Sequence, residues 1–92
     1  MIVTLAELKQ YLRVDYSDDD GILTDILATA HKLCMDIART DNETVFARDS
    51  NAKTAVMYAA AYLYEHREEA DHHALALTLR SLLFAIREVT VG

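Results

Sequence analysis

Apolar residues recur along this chain at helical spacing. Leu5, Leu8 and Leu12 form a short stripe at intervals of three and four. Ahead of it, Thr4-Leu5-Ala6-Glu7 is a capping box, in which the Thr4 hydroxyl and the Glu7 carboxylate each satisfy an amide that a helix start leaves open. Val3 and Leu8 sit where a hydrophobic staple would close, so a first helix is predicted to end near Arg13-Val14-Asp15-Tyr16. Ser17 then reads as the cap of a second helix, with Asp18, Asp19 and Asp20 in a first turn whose partial positive charge favours carboxylates. Ile22, Leu23, Ile26, Leu27, Ala30, Leu33, Cys34 and Ile37 carry that helix from about Asp18 to Arg39. His31 reads as a surface residue on it.

Thr40-Asp41-Asn42-Glu43 interrupts the pattern, and the stretch to Ser50 is the one real loop, with Val45 and Phe46 turned back onto the core. A third helix is expected over about Asn51 to Arg67 and a fourth over about His72 to Glu88. Both are apolar on more than one side. At 100° per residue, Ala52, Ala55, Val56, Ala59, Ala60 and Leu63 make one face of the third helix, while Met57, Ala61 and Tyr64 line up roughly opposite. Leu75, Leu79, Leu82, Leu83 and Ile86 face inward on the fourth, whereas Leu77 and Phe84 point the other way between Arg80 and Arg87. Val89-Thr90-Val91-Gly92 is strand-like and reads as an extended arm.

Composition reinforces this pattern. Proline is absent, Gly21 and Gly92 are the only glycines, and Ala and Leu supply 26 of 92 residues, which leaves little turn chemistry for a sheet. The expected fold is therefore all-α: one domain over 1–92, a small bundle of about four helices with an extended C-terminal tail. An apolar fraction of 52% supports a core, and a domain of this size buries roughly 60–70% of its unfolded surface. No basic n-region precedes an apolar run at the start, and the longest apolar stretch, Ala55 to Tyr64, falls far short of the ~20 residues of a membrane span. The expectation is a soluble, intracellular protein with no membrane partner.

Charge excludes another class. Nine Lys and Arg against fifteen Asp and Glu give a net charge of −6, and the cations are scattered, so the chain does not read as a phosphate-neutralising nucleic-acid binder.

Catalytic candidates are thin. From Asp15, an EF-hand loop would need Gly at its sixth position and Glu at its twelfth, where Asp20 and Ile26 stand. Glu69-Ala70-Asp71-His72 is a single Glu-x-x-His, whereas a di-iron bundle needs two such motifs and two further Glu. His66, His72 and His73 near Glu65, Glu68 and Glu69 occupy a helix end and a turn, where charged residues usually face water. Cys34 is a lone cysteine inside an apolar stripe and reads as a small buried hydrophobe. Ser17, Ser50 and Ser81 lack any nucleophile motif, and no Gly-rich phosphate loop exists. Neither an enzyme nor a cofactor or metal is expected.

Surplus apolar surface remains. Scattered exposed apolar residues are normal, but the second stripes are in register, so Met57, Ala61, Tyr64, Leu77 and Phe84 read as a subunit interface, with Tyr58 and Tyr62 at its semi-buried rim. The resulting candidate interface set is Met57, Tyr58, Ala61, Tyr64, Leu77 and Phe84, and self-association is the expectation. A helical interaction or regulatory module, dimerising through the third and fourth helices, is the competing reading.

The order of segments also resembles something known. Leu5-Ala6-Glu7-Leu8-Lys9-Gln10-Tyr11-Leu12-Arg13-Val14-Asp15, an acidic cap and long amphipathic helix, Ala59-Ala60-Ala61-Tyr62-Leu63-Tyr64-Glu65-His66-Arg67-Glu68 and Leu82-Leu83-Phe84-Ala85-Ile86-Arg87 together look like the small head-tail connector (adaptor) proteins of tailed phages and prophages, a group also described as possible DNA-packaging proteins. The resemblance implies a structural virion protein at the head–tail junction, in the cytoplasm of the bacterial host before assembly. It implies a homo-oligomeric ring beneath the portal protein that extends the DNA channel and docks a further connector or tail protein, with DNA passing through without sequence-specific binding. Double-sided helices suit a ring whose subunits need two different contact surfaces, and a negative lumen lets DNA slide. The tail from Glu88 to Gly92 is expected to pack on a neighbour or on the portal.

Overall fold

The computed structural model describes residues 2–67 and 72–83. Five helices follow one another: α1 (Leu5–Leu12), α2 (Asp20–Ile37), α3 (Glu43–Ala47), α4 (Ser50–Glu65) and α5 (His72–Leu82). No strand occurs among the described residues, and the fold is a small all-α bundle. The expected C-terminal arm, and the end of the last helix beyond Leu83, lie outside the described residues.

Local chemistry sets the helix ends. The Thr4 hydroxyl accepts the Glu7 amide at 3.1 Å and the Glu7 carboxylate accepts the Thr4 amide at 3.0 Å, closing the predicted capping box. With no glycine available, two arginines take left-handed conformations after α1 and α2. Arg13 has φ 60° and Arg39 φ 58°. Each turn lets two successive amides reach back to orphan carbonyls: Arg13 and Val14 to Gln10 and Lys9, Arg39 and Thr40 to Asp36 and Met35.

Ser17 is not the cap of α2. Asp19 occupies that position without a side-chain hydrogen bond to the helix's own amides, and Asp20 opens the helix, its amide donating to the Ser17 carbonyl. Two of the three acids make tertiary contacts instead. Asp20 lies 2.7 Å from the Lys9 ammonium, tying α1 to α2, and Asp19 accepts the Tyr64 hydroxyl. The expected loop contains α3, whose start is set by Asn42 accepting the Thr44 and Val45 amides. Phe46 is fully buried, so this turn plugs the core as its apolar residues foretold.

The core is built around the α2–α4 pair, the most extensive contact among the described residues, with α1, α3 and α5 laid against it. Leu23, Leu27, Ala30 and Cys34 of α2 meet a small-residue face of α4 made by Ala52, Ala55, Val56, Ala59 and Ala60, all fully buried. Such a face lets two helix backbones approach closely. Leu8 from α1 and Leu75, Leu79 and Leu83 from the last helical segment close the remaining sides.

Two placements on α2 differ from the periodicity. His31 is buried at 9% exposure, its ring edge-on to Phe46 at 5.6 Å, because α3 folds over that side of the helix. Ile22, counted within the stripe, is 46% exposed, because it stands one residue off the inward line through Leu23 and Leu27.

Candidate functional site

The side of α4 away from its buried alanines carries large apolar residues of its own. Met57 is half-buried and Tyr58 is 39% exposed. Tyr11, 56% exposed on α1, leans over them, and together with Lys53 and Thr54 these residues line an open groove of about 320 Å³. The Lys53 ammonium pairs with the Glu7 carboxylate of the α1 capping box, pinning α1 onto α4 beside the groove. That ammonium, with the Thr4 amide, holds the Glu7 carboxyl below its ordinary range. Two tyrosines and a methionine on an open surface match the residue types that protein interfaces enrich.

The remaining residues expected at an interface separate into three situations. Ala61 is only 6% exposed, so it contributes almost no free surface; with a single methyl it is covered by its own chain. Tyr64 is half-buried and engaged: its hydroxyl donates to Asp19 at 2.5 Å, which pushes the phenol up to about 12, and Arg67 lies 4.4 Å over the ring while donating to the Tyr64 carbonyl at 2.8 Å. It therefore ties the end of α4 to the turn before α2. Leu77, at 49% exposure, stands on the outer side of α5. Phe84 lies outside the described residues.

Sequence reasoning missed Tyr11. Only Leu5, Leu8 and Leu12 of α1 entered the apolar stripe, and the residue's significance comes from α1 lying across α4, which is tertiary information. Spacing gave one usable signal: Tyr11 is one turn beyond Glu7, so the two share a side of α1.

Other chemistry-bearing groups are occupied structurally. Burial pushes the Cys34 thiol up to about 12, leaving it protonated at neutral pH. Burial also holds the His31 imidazole below its ordinary value, with the Glu43 carboxylate 4.0 Å from its Nε2 opposing that effect. His66 stacks on Tyr62 at 4.3 Å and its Nδ1 lies 3.0 Å from the Tyr62 carbonyl. Among the described residues no three His, Cys, Asp or Glu side chains are placed to hold a metal ion. Glu68 and Glu69 lie outside them. No helix among the described residues is long and apolar enough to cross a membrane.

Comparison with known proteins adds the identity of this architecture. Neither a curated protein nor a solved structure matches the chain. A family model does, over residues 2–88, under the description "Phage gp6-like head-tail connector protein". That match spans all five helices, and such connectors are structural proteins of the phage particle that join its head to its tail. The chain accordingly belongs to the family of phage gp6-like head-tail connector proteins.

Proposed function

We propose that this chain is a non-enzymatic connector subunit that forms a ring of like chains under the portal protein, extends the DNA channel and offers a docking surface to the next connector or tail protein. The family match over residues 2–88 is the observation that carries this reading. Physical support comes from the surface. Tyr11, Met57 and Tyr58 around one groove, and Leu77 on another helix outside it, put apolar area at two separate places on the surface. A ring built from head-to-tail contacts requires two different patches on each subunit. We include Met57, Tyr58 and Leu77 among the contact residues, extend the set to Tyr11, and retain Phe84 on its sequence position alone; Tyr64 shapes the surface by holding the end of α4.

Net charge favours passage of DNA over capture. A −6 chain neutralises few phosphates, so a lumen lined by such subunits repels the duplex and lets it slide. The segment from Glu88 to Gly92 is proposed to pack on a neighbouring subunit or on the portal, and ending the chain after Arg87 should weaken assembly without loss of helical content.

Mixing the purified chain with purified portal protein and imaging the product by electron microscopy tests the reading. Rings capping the portal are expected. A soluble dimer that ignores the portal and binds an unrelated protein would instead establish the helical regulatory module.

A further inference from the structure

Two exposed strips on different helices have the same layout and opposite charge. On α2, Ile22 is 46% exposed and Asp25, three residues on, is exposed beside it. On α5, Leu77 is 49% exposed and Arg80, also three residues on, is exposed beside it. Residues three apart on a helix are surface neighbours, so each strip is one apolar knob with one charge a turn away. Among the described residues neither Asp25 nor Arg80 has an ionic or hydrogen-bonding side-chain partner. At the start of the helix Asp19 is engaged by Tyr64 and Asp20 by Lys9, while Asp18, ahead of α2, is exposed.

The strips cannot satisfy each other within one chain. Helices α2 and α5 touch through the bundle core, with Leu23 and Leu27 of one and Leu75 and Leu79 of the other buried there. Ile22 and Asp25, like Leu77 and Arg80, stand on the sides turned away from that core. Complementary patches that stay exposed and unpaired on one subunit suit a head-to-tail contact between copies.

We propose that the occupant of each strip is a second copy of this chain: Ile22 of one subunit packs on Leu77 of the next, and the Asp25 carboxylate faces the Arg80 guanidinium. This pairing rests on the self-association proposed above and adds Ile22, Asp25 and Arg80 to the contact residues named there. Charge complementarity fixes the register, since Asp25 against Asp25 or Arg80 against Arg80 places like charges together. The apolar knobs supply the desolvated centre.

A charge swap in the full-length chain tests the pairing. Sedimentation velocity over a concentration series is measured for wild type, Asp25→Arg, Arg80→Asp and the double variant, with circular dichroism to follow folding; both positions are exposed, so helical content is expected to hold. Each single reversal should weaken self-association by about tenfold, and the double swap should return it to within about threefold of wild type. Ile22→Asp and Leu77→Asp should each weaken it without unfolding the chain. Wild-type assembly that is indifferent to the single reversals, or a folded double variant that does not recover, overturns the pairing while leaving self-association intact. Reversals that spare self-association but abolish portal binding assign the strips to a different protein and also overturn it. A wild-type chain that stays monomeric alone and on the portal removes both the pairing and the reading beneath it.

Discussion

Helix α4 shows two faces that use side-chain size in opposite ways. Toward α2 it presents Ala52, Ala55, Val56, Ala59 and Ala60, all fully buried; away from α2 it presents Met57 and Tyr58, which with Tyr11 wall an open groove. A lone domain usually gains most by burying its largest apolar side chains. Here the inner face is built mainly from alanines, while Tyr58 stays exposed and Met57 is only half-buried. One side of α4 is closed by the fold, whereas the other stays open and is the side proposed above to meet a neighbouring subunit.

That division is open to attack from both sides. The largest effect is expected where the fold depends on a single bulky plug: Phe46→Ala empties a fully buried site and should cost about 3–5 kcal/mol in denaturant unfolding. On the small-residue face, Ala59→Leu should cost ~1–3 kcal/mol or more by forcing α2 and α4 apart. The outer face should behave in reverse. Tyr11→Ser with Tyr58→Ser is expected to move unfolding stability by no more than ~0.5 kcal/mol per site while weakening self-association by about tenfold. A double variant that unfolds readily yet assembles normally would erase the distinction.

His31 sharpens the fold side. Burial favours its neutral ring, so at pH values below the ordinary 6.5 the unfolded chain binds the proton more readily than the folded one. Stability is therefore full above that value and falls as the pH drops from there through the lowered folded-state value. Urea midpoints between pH 7.5 and 5 should decline more for wild type than for His31→Asn; identical slopes would remove His31 from the account. The smallest effect concerns the left-handed turn after α2. Arg39→Gly relieves the strain of a side chain at φ 58° and should raise stability by ~0.5 kcal/mol after its own entropic penalty, read from the thermal midpoint.

Much of the architecture was legible in the sequence because helical signals are local. The Thr4–Glu7 box closed as written, and the buried face of α4 through Ala52, Ala55, Val56, Ala59 and Ala60 followed from periodicity. What escaped depended on contacts between distant segments. Asp19 and Asp20 looked like helix-start chemistry, yet they are drawn to Tyr64 and Lys9, and Ser17 is left out of the cap. His31 looked like a surface residue until α3 covered it, and α3 itself is too short for periodicity to reveal. At the candidate surface, Met57 is half-buried, Leu77 is exposed, and Tyr58, read as a semi-buried rim residue, is 39% exposed. Ala61 is covered within its own chain and Tyr64 is engaged by Asp19. Tyr11 joined the groove because α1 crosses α4, a packing no local pattern encodes.

Covering of the outer surface by like chains is the central claim, and molar mass by light scattering over a rising concentration series, with and without portal protein, tests it most directly. The account predicts masses that climb from the 10.4 kDa subunit to a discrete multiple of it, lost on replacing Tyr11 and Tyr58 with serine. A mass fixed at one subunit under every condition, with the portal present, would contradict it.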